Sequence, residues 1–253
     1  MILVVNTAEE TLQALLAQDG RVLDSFQEAC SGRMNEVMGP AVERLLSGPG
    51  LASLTGLACV RGPGSFTGLR LGLAFCHGLS LARELPMAGL DHLPLLADSA
   101  FDLSLDSGQT FDEVHVLTHS RTARVYHQCF APGPEPLSPP RDLAAQAACD
   151  LIAARASRAD APARKIALLG TGLRRNAAAF APLATHDSVT LMDLEVPSHQ
   201  ALVRAAKAAS YDGPPVEACY LRGSDAEENL AAIAAGRGLS EAEALARMEE
   251  AMK

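Results

Sequence analysis

The sequence predicts an α/β protein built from two tandem units, and three observations carry that reading. Short apolar runs recur between turn residues, as buried strands do: ILVV at 2–5, LTGLACV at 54–60 and KIALLGTG at 165–172. Longer segments with apolar residues at helical spacing lie between them. The order strand–strand–strand–helix–strand–helix fills the first hundred residues, and a smaller echo of it follows up to about residue 211.

ILVV opens the chain as a strand. TLQALLAQ and RVLDSFQEA follow as two more, joined at Asp19-Gly20, a strong hairpin turn. Met34, Val37, Met38, Val42, Leu45 and Leu46 recur at helical spacing, so a helix is predicted over 33–47. Pro40 removes one of its hydrogen bonds and predicts a kink or a late start. LTGLACV is the next strand, a glycine-rich loop follows it, and a long helix runs over 65–85. PMAGL is a short strand and DHLPLLADSAF a helix. After the polar break LDSGQTFD, EVHVLTHS and ARVYHQCFA read as paired strands. APGPEPLSPP is an exposed connection, and the alanine-rich 142–157 is helical. KIALLGTG and SVTLMDL are strands, and SHQALVRAAKAA is a helix with Ser198 as its cap. The expected organisation is a first lobe at 1–104, a smaller second lobe at 105–222 and a helical tail at 223–253. That tail carries a Ser240–Glu243 capping box and can pack back on the first lobe.

Composition narrows the function. The chain has 253 residues and a formal net charge of −9. Its basic residues are scattered, so no basic face for autonomous nucleic-acid binding is predicted. Aromatic residues make up 4% and Trp is absent, leaving few platforms for stacking bases. The six cysteines include no CxxC pair and fit no zinc ribbon or finger, so reduced, buried thiols are expected. The N-terminal residues lack the basic and apolar regions of a signal peptide, and no run is long enough to span a membrane. A cytoplasmic protein is expected.

The stretch RGPGSFTGLRLGLAFCHGLS, 61–80, is the most informative. Strand, glycine loop and helix together are how folds build anion sites. A Walker loop requires G-x-x-x-x-G-K-[ST], which is missing, and a dinucleotide fingerprint requires a glycine where Thr67 stands. A weaker anion cradle remains possible from Ser65, Thr67 and Arg70. The helix carries two stripes of small side chains: Gly68, Gly72, Cys76 and Ser80, and beside them Ala74, Gly78 and Ala82. Glycine costs about 1 kcal/mol relative to alanine inside a helix, so close approach of another backbone must compensate. Two small stripes suit a helix that packs on its own core and on something else.

These residues carry a resemblance. The loop, Gly62, Pro63, Gly64, Ser65, Phe66, Thr67, Gly68 and Arg70, with the helix after it, closely resembles the signature segment of the TsaB (YeaZ) family. These are the non-catalytic subunits of the bacterial machinery that makes N6-threonylcarbamoyladenosine in tRNA. MILVVNTAEETLQALL resembles the family's opening strand and turn. SRTARVY, with Arg121, Val125 and Tyr126, and EACYLRG, with Tyr220, Leu221 and Arg222, resemble later segments. The resemblance spans roughly residues 1 to 223.

It implies an actin-like ATPase fold, two lobes of the ribonuclease H type. It implies a scaffold or activating subunit that pairs with a catalytic, TsaD-type paralogue. That paralogue transfers threonylcarbamoyl to adenosine 37 of tRNAs reading ANN codons. A small P-loop ATPase of the TsaE type joins the pair, and tRNA is reached only through the complex. No cofactor is implied for this chain alone; ATP or ADP and metal are expected on the partner subunits. Met34, Val37, Met38, Leu45, Leu69, Gly72, Leu73, Cys76 and His77 are the expected partner surface, about half of them core, and homodimerisation through it is expected when the partner is absent.

The alternative is a nucleotide-binding enzyme of the ATPase class, with its ligand in the inter-lobe cleft near Asn6, Thr7, Gly170 and Gly172. Asn6 stands where active members of the fold carry Asp, and His119-Ser120-Arg121 lacks a second family carboxylate, which weakens that reading. No catalytic residue is expected, since no Ser-His-Asp or Cys-His constellation and no G-x-S-x-G elbow is present. No metal site is expected either. His115 and His119 would lie about 13 Å apart along one strand, and His127 and Cys129 share a strand face without a third ligand.

Overall fold

The computed structural model describes residues 1–157 and 164–221. Met1–Cys219 forms one compact unit; a second begins at Tyr220, and the expected tail at 223–253 lies outside the described residues. No helix among the described residues is long and apolar enough to cross a membrane.

The first sheet is built as its sequence predicts. ILVVN forms β1 (Ile2–Asn6), and β2 (Thr11–Gln18) and β3 (Arg21–Ala29) form the hairpin around Asp19-Gly20. Both turn residues take positive φ, at 54° and 78°, which suits the hairpin's right-handed twist. Then come α1 (Met34–Leu46), β4 (Gly56–Gly62), α2 (Phe66–Arg83), β5 (Met87–Asp91) and α3 (His92–Asp106). The strand order is β3-β2-β1-β4-β5, with β4 parallel to both neighbours. Pro40 lies inside α1 without ending it. Pro40 and Glu36 are both exposed, so the Glu36 carbonyl left without a partner can face water.

The second sheet repeats the plan. It comprises β6 (Glu113–Arg121), β7 (Arg124–Ala131), the short β8 (Glu135–Pro136), β9 (Arg141–Ala144), β10 (Ile166–Leu169) and β11 (Val189–Leu191). The proline-rich connection supplies one short strand, β8, and the segment expected to be helical from 142 instead opens with β9 before α4 begins at Ala145; both strands pair with β7. As β1 pairs antiparallel with β2 and parallel with β4, so β6 pairs antiparallel with β7 and parallel with β10. Its helices are α4 (Ala145–Ala156), α5 (Thr171–Arg175) and α6 (Ala177–Phe180), whereas α7 (His199–Ala208) returns to pack on the first sheet and α3. The Ser198 hydroxyl accepts from the Ala201 amide at 3.1 Å and caps α7 as expected.

Alternation along the strands decides which layer each side chain joins. Leu3, Val5, Leu12, Ala14 and Cys59 face α1 and α2. Val4, Leu15, Ala58 and Val60 face the opposite way, towards α7 and Leu95 of α3. In the second sheet Leu117, Val125, Ile166 and Leu168 pack under α4.

Candidate functional site: one helix with two faces

The loop before α2 is fixed by contact with the turn after β1. The Ser65 amide donates to the Ala8 carbonyl at 2.7 Å, and the Ser65 hydroxyl caps α2 by accepting from the Gly68 amide at 3.2 Å. A Cβ on Gly64 would strike the Ala8 carbonyl, one on Gly68 the Thr7 carbonyl, and one on Gly72 the Thr7 hydroxyl. Gly62 has φ 114° and precedes a cis Pro63. The glycines of the signature loop are therefore needed for backbone-to-backbone packing inside the chain. Phe66 and Thr67 belong to the first turn of the helix, and the Arg70 guanidinium stacks 3.8 Å from the centre of the Phe66 ring.

This corrects the expected partner surface. Met34, Met38, Leu45, Leu69, Gly72, Leu73 and Cys76 are buried in the chain's own core. Val37 is half-buried and packs against that core. His77 is half-buried too, its Nε2–H donating to the Val216 carbonyl at 2.8 Å. The Gly68–Gly72–Cys76 stripe faces inward because the β1 turn approaches it. The open face of α2 is the second stripe. Ala74, Gly78 and Ala82 are exposed, no atom of the described residues lies within 4 Å of where a Gly78 Cβ would stand, and Leu81 is 82% exposed. Leu71 and Phe75 are half-buried beside them. Helical periodicity displays both stripes equally; which one turns inward depends on where β1 ends, a tertiary fact.

The four cleft residues are also committed elsewhere. Asn6 is buried; its side-chain Nδ2 donates to Gln13 Oε1 at 2.8 Å and its Oδ1 accepts from the Ala8 amide at 3.0 Å. Gln13 in turn donates to Gln27 and to the Pro197 carbonyl, which fixes its amide orientation. An aspartate at position 6 would set two acceptors against each other, so asparagine serves the packing. Thr7 is fully buried beneath Gly72. A Cβ on Gly170 or Gly172 would meet the Leu117 carbonyl at 2.5 and 2.6 Å. Thr171 donates to Glu9 at 3.2 Å and Arg175 pairs with Glu10 at 2.6 Å, joining the two turns where a nucleotide would lie. Gly170 does line a cavity of about 420 Å³, walled by Leu173, Phe180, Leu191 and Met192, with the Arg174–Glu195 pair at its edge.

A cluster that the sequence reading did not assemble lies under α4. Glu113 and His115 of β6 face His127 and Cys129 of β7, because the hairpin register pairs His115 with Cys129. All four are buried. Arg155 of α4 grips both Glu113 oxygens at 2.6 Å, and Arg164 also pairs with Glu113. Burial pushes the Glu113 carboxyl up, but hydrogen bonds from His115 and Arg155 outweigh it and hold the group well below the usual carboxylate range. Burial likewise lowers His115; burial and then His115 push His127 down to about 3, and burial pushes the Cys129 thiol up to about 12.

Residues 28–165, more than half of the chain, match the family model described as TsaD: tRNA N6-adenosine threonylcarbamoyltransferase. The chain is 40% identical over 102 residues to the tRNA threonylcarbamoyladenosine biosynthesis protein TsaB of Escherichia coli, covering 40% of this chain and 44% of that protein. The chain belongs to the TsaB (YeaZ) family, within the wider TsaD family. It is also 45% identical over 58 residues to a tRNA N6-adenosine threonylcarbamoyltransferase of Solidesulfovibrio magneticus, covering 22% of this chain and 16% of that one. The matches span less than half the length of these curated relatives. In fold it superposes on a Pseudomonas aeruginosa protein described as similar to peptidase YEAZ, with TM-score 0.67 and 23% identity over 87% of this chain and 99% of the other.

Proposed function

We propose that the chain is a non-catalytic scaffold subunit in threonylcarbamoyladenosine biosynthesis. It pairs with a TsaD-type paralogue, and the threonylcarbamoyl group is transferred on that partner to adenosine 37 of tRNAs reading ANN codons. ATP or ADP and the catalytic metal belong to the partner subunits, a TsaE-type P-loop ATPase completes the assembly, and tRNA is engaged through the complex in the cytoplasm.

The observation that carries this reading is the open outer face of α2. A helix that leaves Leu81 82% exposed beside Ala74, Gly78 and Ala82 has the small and aliphatic surface that a second helix packs against. The occupant follows from the family match. Residues 28–165, which include α1 and α2, match the TsaD family itself, so the paralogue is expected to carry a counterpart of the same helix pair, and like faces pair readily. The same argument gives a homodimer through this face when the paralogue is absent. The buried polar groups at Asn6 and Thr7 favour a structural role for the inter-lobe cleft.

The test is to mix the full chain with the TsaD-type paralogue of its host and measure complex mass by light scattering, alongside Leu81→Asp. Leu81 is 82% exposed, so the variant should melt like wild type while its affinity for the partner drops at least about tenfold. Equal affinity in the variant would move the docking face elsewhere, and failure of wild type to pair would overturn the scaffold reading.

A further inference from the structure

The cluster beneath α4 has the geometry of a metal site. His115 Nε2 lies 3.3 Å from Glu113 Oε2 and 3.4 Å from Cys129 Sγ, and Sγ lies 3.7 Å from the same carboxylate oxygen. These three atoms come from three side chains that are each buried, on two adjacent strands. A tetrahedral zinc ion holds sulfur at about 2.3 Å and nitrogen and oxygen at about 2.0–2.2 Å, so its ligand atoms stand about 3.3–3.7 Å from one another. The trio already shows that spacing.

The surroundings fit as well. A ligating histidine usually donates its other ring N–H to a fixed acceptor, which orients the ring and sets the tautomer. His115 Nδ1 lies 2.9 Å from His127 Nε2, with the two rings stacked. His127 is buried, and its Nε2 serves as that acceptor when the ring is neutral. Ligating carboxylates are in turn hydrogen-bonded; here Arg155 and Arg164 hold Glu113 in place. Those two guanidiniums are each about one third exposed. Cys129 supplies a soft ligand, which together with imidazole and carboxylate suits Zn²⁺ over Mg²⁺ or Ca²⁺.

We propose that Glu113, His115 and Cys129 bind one zinc-class divalent cation in the core of the second sheet. Binding displaces the Cys129 proton to solvent, and the thiolate, imidazole and carboxylate each donate one lone pair. Three protein ligands leave a fourth position for water. The ion ties β6 to β7 at the point where α4 covers them, and this role is independent of partner docking.

The full chain, stripped with a chelator and titrated with Co²⁺ and then Zn²⁺, tests this. The expected result is one equivalent bound, with a thiolate-to-cobalt charge-transfer band that zinc abolishes, and a higher melting temperature with zinc. Cys129→Ser should lose the band while keeping the wild-type circular dichroism, and Cys219→Ser should keep it. A folded wild-type chain that takes up neither ion, or a band that survives Cys129→Ser, overturns the proposal. Should Cys129→Ser fail to fold, zinc X-ray absorption on the wild-type chain decides instead: one sulfur with nitrogen and oxygen neighbours supports the site, and a shell without sulfur overturns it.

Discussion

The two sheets share one plan and seal it differently. In each, glycines that follow the strand parallel to the centre press on the central strand or the turn after it: Gly68 and Gly72 of α2 on Thr7, just past β1, and Gly170 and Gly172 on Leu117 of β6. The first sheet follows its turn with the 18-residue α2, whose far side stays open; the second follows with the 5-residue α5. Their cores differ as well. The first buries neutral amides, Asn6 and Gln13, beneath aliphatic residues, whereas the second buries Glu113 among histidines and a thiol and needs two arginines to hold it. The same topology therefore hosts a neutral half with an open helix face and a half whose core is charged.

The shared seal is the feature whose loss should cost most. Gly72→Leu forces a branched side chain into the buried Thr7, and Gly172→Leu forces one into the Leu117 carbonyl and Val125. Overpacking a well-packed core costs about 1–3 kcal/mol and more where backbone must move. Both variants should lose about 3 kcal/mol or more in urea titration, or fail to fold. If Gly72→Leu melts like wild type, the inner stripe is not sealed against β1 and the two halves are not built alike.

The contrast between the cores comes next. Removing one member of a buried ion pair costs about 3–5 kcal/mol when its partner is left buried. Arg155 and Arg164 keep about a third of their surface in water, so Glu113→Gln should cost less, about 2–3 kcal/mol. Asn6→Ala in the first sheet removes two neutral hydrogen bonds and should cost about 1–2 kcal/mol. Equal losses in chemical denaturation would show that the charge in the second core carries no extra cost.

The reach of the sequence follows the same division. Strand runs, the Asp19-Gly20 turn and the Ser198 cap are local signals, and both sheets could be placed from them. The charged cluster is not local. His115 and His119 lie too far apart along one strand to share a metal, and His127 and Cys129 share a strand face without a third ligand. The combination that can, His115 with Cys129, exists only once the β6–β7 register is known. The two stripes of α2 pose a similar problem: spacing identifies both, but only the position of the β1 turn tells them apart. Asn6 was legible as a departure from the family's aspartate, and its reason, the donor that Gln13 requires, was not.

The smallest expected effect is the sharpest test of the two faces of α2, because its sign reverses between them. Alanine is favoured over glycine inside a helix by about 1 kcal/mol, part of it through the unfolded chain. No atom of the described residues lies within 4 Å of where a Gly78 Cβ would stand, so Gly78→Ala should gain most of that amount and raise the melting temperature of the isolated chain. Gly72 has the Thr7 hydroxyl there, so Gly72→Ala should lose stability although the propensity term is the same. The Gly78→Ala gain should come with weaker pairing if a partner helix approaches closely at that position. A variant that is more stable alone and binds less well would separate the cost of the glycine from its use, and would mean that the destabilising residue is kept on an open face for another backbone to lie against it.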